Sequence, residues 1–374
     1  MSLFGTAVGA GILFLPINIG AGGFWPLIIM ALLAGPMTFF AHRGLSRFVL
    51  SSNNPEADFT DVVEEHFGHN AGRVISILYF LSIYPILLIY GVGLTNTVDS
   101  FIVNQLGLVS PSRVLLSGIL VAGMVSVMMG GERLVLKAFE IIVYPLVFIL
   151  AGLSIYMIQD WQVPNISMVT DMVPVTVFAF SHAAAISSFS TAQKRHYDKQ
   201  AGEKSEQILK RTSIMLISFV VFFVFSCVFS LTPAQLLEAK VQNISVLSYL
   251  ANVKDNALIA SLGPLIAFIA ITSSFFGHFL GAREGLNGLI RKQVNMTPTA
   301  TNKLTIFILF ISIWIVSVMN PSILNMMEIF SGPVIAMILF VMPMYAVSKV
   351  EALANFVTIM GLIAISALLF NVFL

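Results

Sequence analysis

The stretch GTAVGAGILFLP, residues 5–16, decides how the rest of this sequence is interpreted. Three glycines, Gly5, Gly9 and Gly11, open a segment that is otherwise rich in leucine and phenylalanine, and Pro16 follows them. A glycine in a helix interior costs about 1 kcal/mol relative to alanine. A hydrophobic helix that carries three glycines together is therefore weak at this point. The glycines are expected either to open the helix backbone or to let another helix approach closely.

The composition indicates a membrane protein. Of 374 residues, 57% are hydrophobic and 10% are charged, and the mean hydropathy is +0.94. A soluble globular protein is closer to about 45–50% apolar and about 25% charged, and its polar surface could not cover this much apolar material. We therefore expect a polytopic protein embedded in a lipid bilayer. The single cysteine, Cys227, excludes an internal disulfide.

Eleven apolar stretches are long enough to cross a bilayer, which takes about 17–25 residues in a helix. They lie near residues 3–20, 25–48, 73–103, 113–130, 137–158, 172–191, 212–231, 257–281, 304–319, 322–347 and 353–373. Residues 55–68 and 232–253 are more polar and are predicted to form surface helices.

Lysine and arginine concentrate in the connections on one side of these spans. If the N-terminus is cytoplasmic, the connections on that side hold sixteen of these residues, and those on the opposite side hold three, Arg113, Lys240 and Lys254. Basic residues favour cytoplasmic loops, so the distribution predicts a cytoplasmic N-terminus and a C-terminus on the opposite face. The basic run at 194–211 is interpreted as a solvated loop, and no nucleic-acid partner is expected.

Two interpretations of GTAVGAG remain open. Inside a bilayer, an opened helix is tolerated only where its freed N–H and C=O groups face a cavity or other protein. An interruption here would expose N–H groups at the positive end of a second half-helix, which suits a carboxylate. The alternative is close helix packing through Gly5 and Gly9, which are spaced by four residues.

A second candidate interruption lies five spans further on, in VTVFAFSHAAAISSFS at residues 175–190. Transporters built from repeats often carry broken helices at matching positions. Ser181 and His182 lie in this apolar run, and polar residues inside a membrane segment are costly and are candidates for function. His182 is expected either to line a cavity or to form a hydrogen bond between helices.

The eighth span carries a candidate cation site. Thr272, Ser273 and Ser274 form a hydroxyl triplet in its middle. Hydroxyl groups and unwound backbone carbonyls are the hard oxygen ligands that a small cation such as Na⁺ requires. In the third span, one tyrosine, Tyr84 or Tyr90, is expected to face the cavity, because a phenol ring presents an apolar wall with a polar end.

Other functional classes fit the sequence poorly. No buried carboxylate is placed to orient His182 beside a serine, and neither GxSxG nor HExxH occurs, so neither a membrane-embedded enzyme nor a bound cofactor is expected. A channel would require rings of charged side chains or repeated carbonyl filters. This sequence offers one asymmetric pair of interruptions.

Several stretches resemble one known family in the same order along the chain. They include GTAVGAGILFLPINIG, MTFFAHRGLSRFVLS, YPILLIYGVGLTNTV, GHFLGAREGLNG and GPVIAMILFVMPMYA. They are similar to the bacterial hydroxy and aromatic amino acid permeases, most of all to the serine and threonine permeases. The resemblance implies an all-α LeuT-type fold. It has two inverted five-helix repeats, residues 1–158 and 172–348, with helices 1 and 6 broken, and an eleventh transmembrane helix at 352–374.

The resemblance also implies a secondary active transporter of the bacterial inner membrane. It would take up L-serine or L-threonine by alternating access, in symport with Na⁺ or H⁺; a tryptophan or tyrosine permease of the same family is the alternative. The substrate carboxylate would meet the backbone of the first helix, and the ammonium would meet carbonyls near the break of the sixth. With Tyr84 and His182 from above, the candidate substrate-binding residues are Thr6, Ala7, Gly9, Ala10, Gly11, Tyr84, Phe178, Phe180, Ser181 and His182.

Two departures from the serine permeases concern this site. Those permeases have FNHSP where this chain has FSHAA (180–184), which puts side-chain selectivity in doubt, and TKS where it has TSS (272–274). A lysine at the position of Ser273 could mimic a bound sodium ion. In sodium-coupled proteins of this fold, a Thr-Ser pair of the eighth helix supplies sodium ligands. The resemblance therefore predicts a Na⁺ site formed by Thr272, Ser273 and the backbone of Ala7 and Ala10.

Overall fold

The computed structural model describes residues 2–54, 57–130, 132–162, 172–347 and 354–373. The regular secondary structure in these ranges is helical, which confirms the predicted all-α fold. The start of the first predicted surface helix at 55, the basic residue Lys349 and the start of the last predicted span at 352 lie outside these ranges.

The first half of the described chain forms six α-helices. They are α1 (Ser2–Ala7), α2 (Ala10–Gly22), α3 (Phe24–Leu50), α4 (Phe59–Asn104), α5 (Arg113–Gly130) and α6 (Glu132–Tyr156), and a 3₁₀ turn, Met157–Asp160, follows α6.

The second half begins with another pair of short helices. Its α-helices are α7 (Met172–Phe180), α8 (Ala183–Tyr197), α9 (Ala201–Ser230), α10 (Pro233–Gln242), α11 (Val246–Val253), α12 (Ala257–Arg291), α13 (Pro298–Met319), α14 (Ile323–Asn325), α15 (Gly332–Ala336), α16 (Met342–Val347) and α17 (Ala354–Phe373). A 3₁₀ turn, Asp198–Gln200, joins α8 to α9, and π-helical turns cover Met326–Ser331 and Met337–Val341.

Eight helical segments of the described chain are long and apolar enough to cross a membrane. They are Phe24–Leu50, Phe59–Asn104, Arg113–Gly130, Ile141–Asp160, Met172–Ser230, Ala257–Arg291, Pro298–Met319 and Ile323–Ala346. Two shorter apolar helices are Ala10–Gly22 and Ala354–Ser366. The chain is therefore a multi-pass membrane protein.

Residues 59–68 of the predicted surface helix at 55–68 form the first part of α4. Asp58 Oδ1 accepts the N–H of Asp61 at 3.1 Å, and Asp61 Oδ2 accepts the N–H of Asp58 at 3.2 Å, so a reciprocal capping box starts the helix. Gly68 then adopts φ 76° and ψ 174°, a conformation that other residues rarely adopt, and the chain turns there into the third predicted span.

The predicted surface helix at 232–253 is two helices, α10 and α11. Asn243 ends α10 in the left-handed conformation, with φ 56°. Ser245 is the N-cap of α11, and its Oγ accepts the N–H of Ser248 at 3.1 Å. The boundary follows from this chemistry, since asparagine tolerates the left-handed region and serine is a strong N-cap.

The centre of the bundle is formed by α4 and α12, which contact each other more extensively than any other pair of described helices. Both α1 and α8 lie against α12, and α2 packs on α7. The gap between α1 and α2 and the gap between α7 and α8 therefore lie close to the same central helix.

Candidate functional site

The first interruption lies between α1 and α2. Gly9 is extended there, with φ −148° and ψ −151°, and no side chain caps α2. The N–H groups of residues 9–12 donate to no carbonyl of the described chain, and the first hydrogen bond of α2 runs from Leu13 N–H to Gly9 O at 3.3 Å. These buried donors lie at the positive end of α2. Such a set of free N–H groups can bind an anion.

Gly9 and Gly11 allow other helices to reach this interruption. A methyl group added at Gly9 would lie 2.5 Å from Ser274 Oγ and 2.9 Å from Tyr90 Oη. One added at Gly11 would lie 2.6 Å from Ala179 Cα. In GTAVGAG, α1 thus ends at Ala7 and α2 begins at Ala10, and Gly9 and Gly11 admit close neighbours.

The second interruption covers Ser181 and His182, between α7 and α8. Ser181 N–H donates to Phe178 O at 3.2 Å, and Ser181 Oγ accepts the N–H of Ala183 at 3.4 Å. The N–H of His182 donates to Nε2 of His42, a residue of α3, at 3.0 Å. The N–H groups of His182 and Ala183, at the start of α8, therefore have side-chain partners, whereas those at the start of α2 do not.

His182 and His42 also stack face to face. Their ring centroids are 3.6 Å apart, and the ring planes differ by 5°. Nδ1 of His42 lies 2.7 Å from Thr38 O, and Nδ1 of His182 lies 3.3 Å from Phe180 O. Both rings are buried. His182 therefore joins two helices, which is one of the two roles that the sequence left open.

Helices α12 and α4 close one side of the first interruption. Ser274 Oγ donates to Thr6 O at 2.5 Å and lies 2.7 Å from Tyr90 Oη. Nδ1 of His278 lies 2.9 Å from Ser274 O, and its ring meets that of Tyr90 edge to face at 5.3 Å. This polar network holds the end of α1 on the central helix.

The predicted cation ligands are only partly brought together. Ala7 is the last residue of α1 and Ala10 the first of α2, so both border the interruption. Ser273 Oγ donates to a carbonyl of its own helix at 3.0 Å, and Thr272 Oγ1 is buried without a hydrogen-bond partner in the described chain. Because successive helical residues are rotated by about 100°, Thr272 lies about 160° around α12 from Ser274. Ser274 is the residue of the triplet whose hydroxyl group is hydrogen-bonded to α1.

The described residues contain no group of three or more histidine, cysteine, aspartate or glutamate side chains that could hold a metal ion. A cation at the first interruption would therefore depend on hydroxyl and carbonyl oxygens, the ligand type that the sequence predicted.

Tyr84 and Tyr90 were both candidates from the sequence, and Tyr84 is in the predicted substrate site. The structure places Tyr84 half-buried, stacked on Phe80 with ring centroids 5.0 Å apart. Tyr90 is the tyrosine that reaches Gly9. His42 was not predicted from the sequence, in which its one signal is that it is a histidine inside an apolar helix.

Two half-buried carboxylates link helices that are distant in the sequence. Glu328 Oε1 accepts a hydrogen bond from Asn18 Nδ2 at 2.7 Å, and Lys240 Nζ lies 3.5 Å from the same oxygen. Glu284 Oε1 accepts a hydrogen bond from Ser187 Oγ at 3.1 Å. Glu284 also borders a cavity of about 340 Å³ whose remaining walls come from α8, α12 and the start of α13.

Comparison with solved structures identifies the fold. The crystal structure of MhsT in complex with L-phenylalanine matches with a TM-score of 0.58 and 14% sequence identity, and the match covers 99% of this chain and 96% of that one. MhsT has the LeuT fold. At this identity, the match shows a shared fold.

Sequence comparison identifies the family. The serine transporter SdaC of Escherichia coli strain K12 is 50% identical over 402 aligned residues, covering 100% of this chain and 94% of that protein. SdaC of Shigella flexneri is 49% identical with the same coverage. These relatives are transporters and not enzymes. The model of the tryptophan/tyrosine permease family matches residues 1–371. The chain belongs to the tryptophan/tyrosine permease family.

Proposed function

We propose that this protein is a secondary active transporter that carries L-serine into the cell in symport with a cation, with L-threonine as the second candidate substrate. The observation that carries the proposal is the 50% identity to serine transporter SdaC across the full chain. The interrupted helices support it, because such breaks supply unpaired backbone dipoles to a zwitterion.

The carboxylate of the substrate binds the N–H groups of residues 9–12. These donors are buried and lack carbonyl partners in the described chain, so an anion satisfies them at the positive end of α2. The ammonium binds carbonyl oxygens near residues 178–181, at the negative end of α7. Phe178 O and Phe180 O each already accept one hydrogen bond, but a carbonyl oxygen has a second lone pair.

The proposed substrate contacts lie around the N-terminal end of α2 and the C-terminal end of α7. They are Thr6, Ala7, Gly9, Ala10, Gly11, Phe178, Phe180, Ser181 and His182, with Tyr90 in place of Tyr84. Tyr90 is preferred because its hydroxyl group approaches Gly9.

The proposed topology is two inverted repeats, residues 1–158 and 172–348, and an eleventh helix at 352–374, in the bacterial inner membrane. Counting α1 with α2, α7 with α8, and α14 to α16 as single crossings supports eleven spans. The uneven lysine and arginine distribution supports a cytoplasmic N-terminus and a periplasmic C-terminus.

The coupling cation is proposed to be Na⁺, with H⁺ as the alternative. Backbone at Ala7 and Ala10 borders the first interruption, and Ser274 Oγ of α12 donates to Thr6 O beside it. Ser274 therefore replaces Thr272 in the proposed ligand set. The departure from TKS to TSS supports sodium, since no ammonium group stands at position 273.

The alternative substrate class is an aromatic amino acid. The name of the matching family model favours it, because that model describes tryptophan and tyrosine permeases. The two SdaC relatives, which match over the whole chain and are named serine transporters, favour serine.

Uptake into proteoliposomes tests the proposal. Labelled L-serine should accumulate inside when an inward sodium gradient is imposed at equal pH, and excess unlabelled L-tryptophan or L-tyrosine should not compete. Accumulation driven by a pH gradient alone would assign coupling to H⁺. No L-serine uptake under either gradient, with uptake of an aromatic amino acid, would overturn the serine assignment.

A further inference from the structure

The two interruptions are chemically unequal. At the first, the N–H groups of residues 9–12 meet no carbonyl of the described chain. At the second, His182 N–H is bound by His42 at 3.0 Å, and Ala183 N–H is bound by Ser181 Oγ at 3.4 Å. Ala185 N–H donates to His182 O at 3.0 Å. The N-terminal ends of α2 and α8 thus offer different numbers of free backbone N–H groups.

The geometry fixes the hydrogen positions on His42. Its Nδ1 lies 2.7 Å from the carbonyl of Thr38, and a carbonyl only accepts, so Nδ1 carries the hydrogen. Its Nε2 lies 3.0 Å from the N–H of His182, so Nε2 offers its lone pair. A neutral ring with both nitrogens engaged cannot rotate without losing two hydrogen bonds.

The stacking holds the acceptor in place. The ring of His42 lies 3.6 Å from the ring of His182 and parallel to it within 5°. The same residue of α3 therefore binds both the backbone and the side chain of His182. Both residues are buried, so water does not compete for this N–H.

We propose that His42 is a positioning residue that closes the second interruption to anions and so confines carboxylate binding to residues 9–12. This inference rests on the proposed function, since it concerns how the transported amino acid is oriented. With His182 N–H occupied, α8 presents fewer free donors than α2. The carboxylate is directed to α2, and the ammonium is left facing the carbonyls at the end of α7.

Three variants of His42 separate the hydrogen bond to His182 N–H from the other contacts of the side chain. In His42→Gln, the end of the side chain reaches the position of Nε2, so its Oε1 can accept the N–H of His182. In His42→Asn, the shorter side chain reaches the position of Nδ1 and can donate to Thr38 O, but it leaves His182 N–H without an acceptor. His42→Phe retains a ring for stacking and has no acceptor.

The KM and Vmax for L-serine uptake, normalised to the amount of folded transporter, test the proposal. His42→Asn and His42→Phe should each raise KM by about fivefold or more, because a buried N–H loses its partner and competes for the carboxylate. His42→Gln should remain within about twofold of the wild type. A merely structural role would lower the folded amount and Vmax in all three variants without this split in KM.

A second measurement does not depend on the substrate. Hydrogen–deuterium exchange of peptides covering residues 178–186 should show one additional exchanging amide in His42→Asn and His42→Phe, and none in His42→Gln. Equal KM and equal exchange in His42→Asn and the wild type would overturn the proposal. If the wild type takes up no L-serine, the proposed function fails, whereas the exchange measurement still tests the contact between His42 and His182.

Discussion

Gly9 lies where the first interruption touches α12 and α4. An alanine methyl group there would meet Ser274 Oγ at 2.5 Å and Tyr90 Oη at 2.9 Å, so one of these helices must move. Overpacking of this kind costs about 1–3 kcal/mol. We expect Gly9→Ala to reduce the initial rate of L-serine uptake at least about tenfold, because the free N–H groups are displaced.

Gly123→Ala is the matched control for this substitution. Apart from its chain neighbours and its own helix backbone, no heavy atom of the described residues lies within 4 Å of the position that its methyl group would take, so uptake should equal that of the wild type at equal expression. Gly9→Ala with the same uptake as Gly123→Ala would contradict the proposed role of the first interruption.

Ser274 and Thr272 provide a second comparison at the scale of residues. Ser274→Ala removes the hydrogen bond to Thr6 O and the contact with Tyr90, whereas Thr272→Ala removes a hydroxyl group without a partner in the described chain. If Na⁺ is the coupling ion, Ser274→Ala should raise the sodium concentration for half-maximal uptake by about tenfold, and Thr272→Ala by less than about twofold. The opposite order would restore Thr272 as the ligand that the sequence predicted.

At the scale of the helices, Glu328 connects α10 to α2 through an ion pair and a hydrogen bond. Its Oε1 accepts the amide hydrogen of Asn18 at 2.7 Å and lies 3.5 Å from the Lys240 ammonium of α10. Removing one partner of a half-buried network costs about 1–3 kcal/mol. We expect Glu328→Ala to speed hydrogen–deuterium exchange in α10 by about fivefold or more.

The control for α10 is Glu203→Ala. Glu203 accepts a hydrogen bond from Gln207 within α9 at 3.0 Å, so its loss should leave exchange in α10 unchanged. Unchanged exchange in Glu328→Ala would show that the contacts of Glu328 do not hold α10.

The sequence predicted the all-α membrane fold because long apolar stretches have few alternatives in a bilayer. Contacts between elements could not be predicted in the same way. His42 and His182 are 140 residues apart, and Tyr90 and Ser274 are 184 residues apart. A hydropathy pattern gives the length of a span but not the faces that meet. For the same reason, the sequence pointed to Thr272 and Ser273 in the triplet at 272–274, and the hydrogen bond of Ser274 to Thr6 O could not be predicted.

At the scale of the whole molecule, the basic residues predict one orientation. Sixteen lysines and arginines fall on one side and three on the other. A fluorescent protein fused to the N-terminus should fold and fluoresce in the cytoplasm, and alkaline phosphatase fused after the C-terminus should be active in the periplasm. An inactive phosphatase at the C-terminus, with full expression of the fusion, would contradict this topology.

A structure determined with bound L-serine tests most directly whether the backbone at two broken helices holds the substrate. We predict density for the amino acid between the interruptions, with its carboxylate within about 3.2 Å of N–H groups of residues 9–12 and its ammonium beside the carbonyls at the end of α7. An unbroken first helix with no space beside Gly9, or a serine bound elsewhere in the protein, would contradict it.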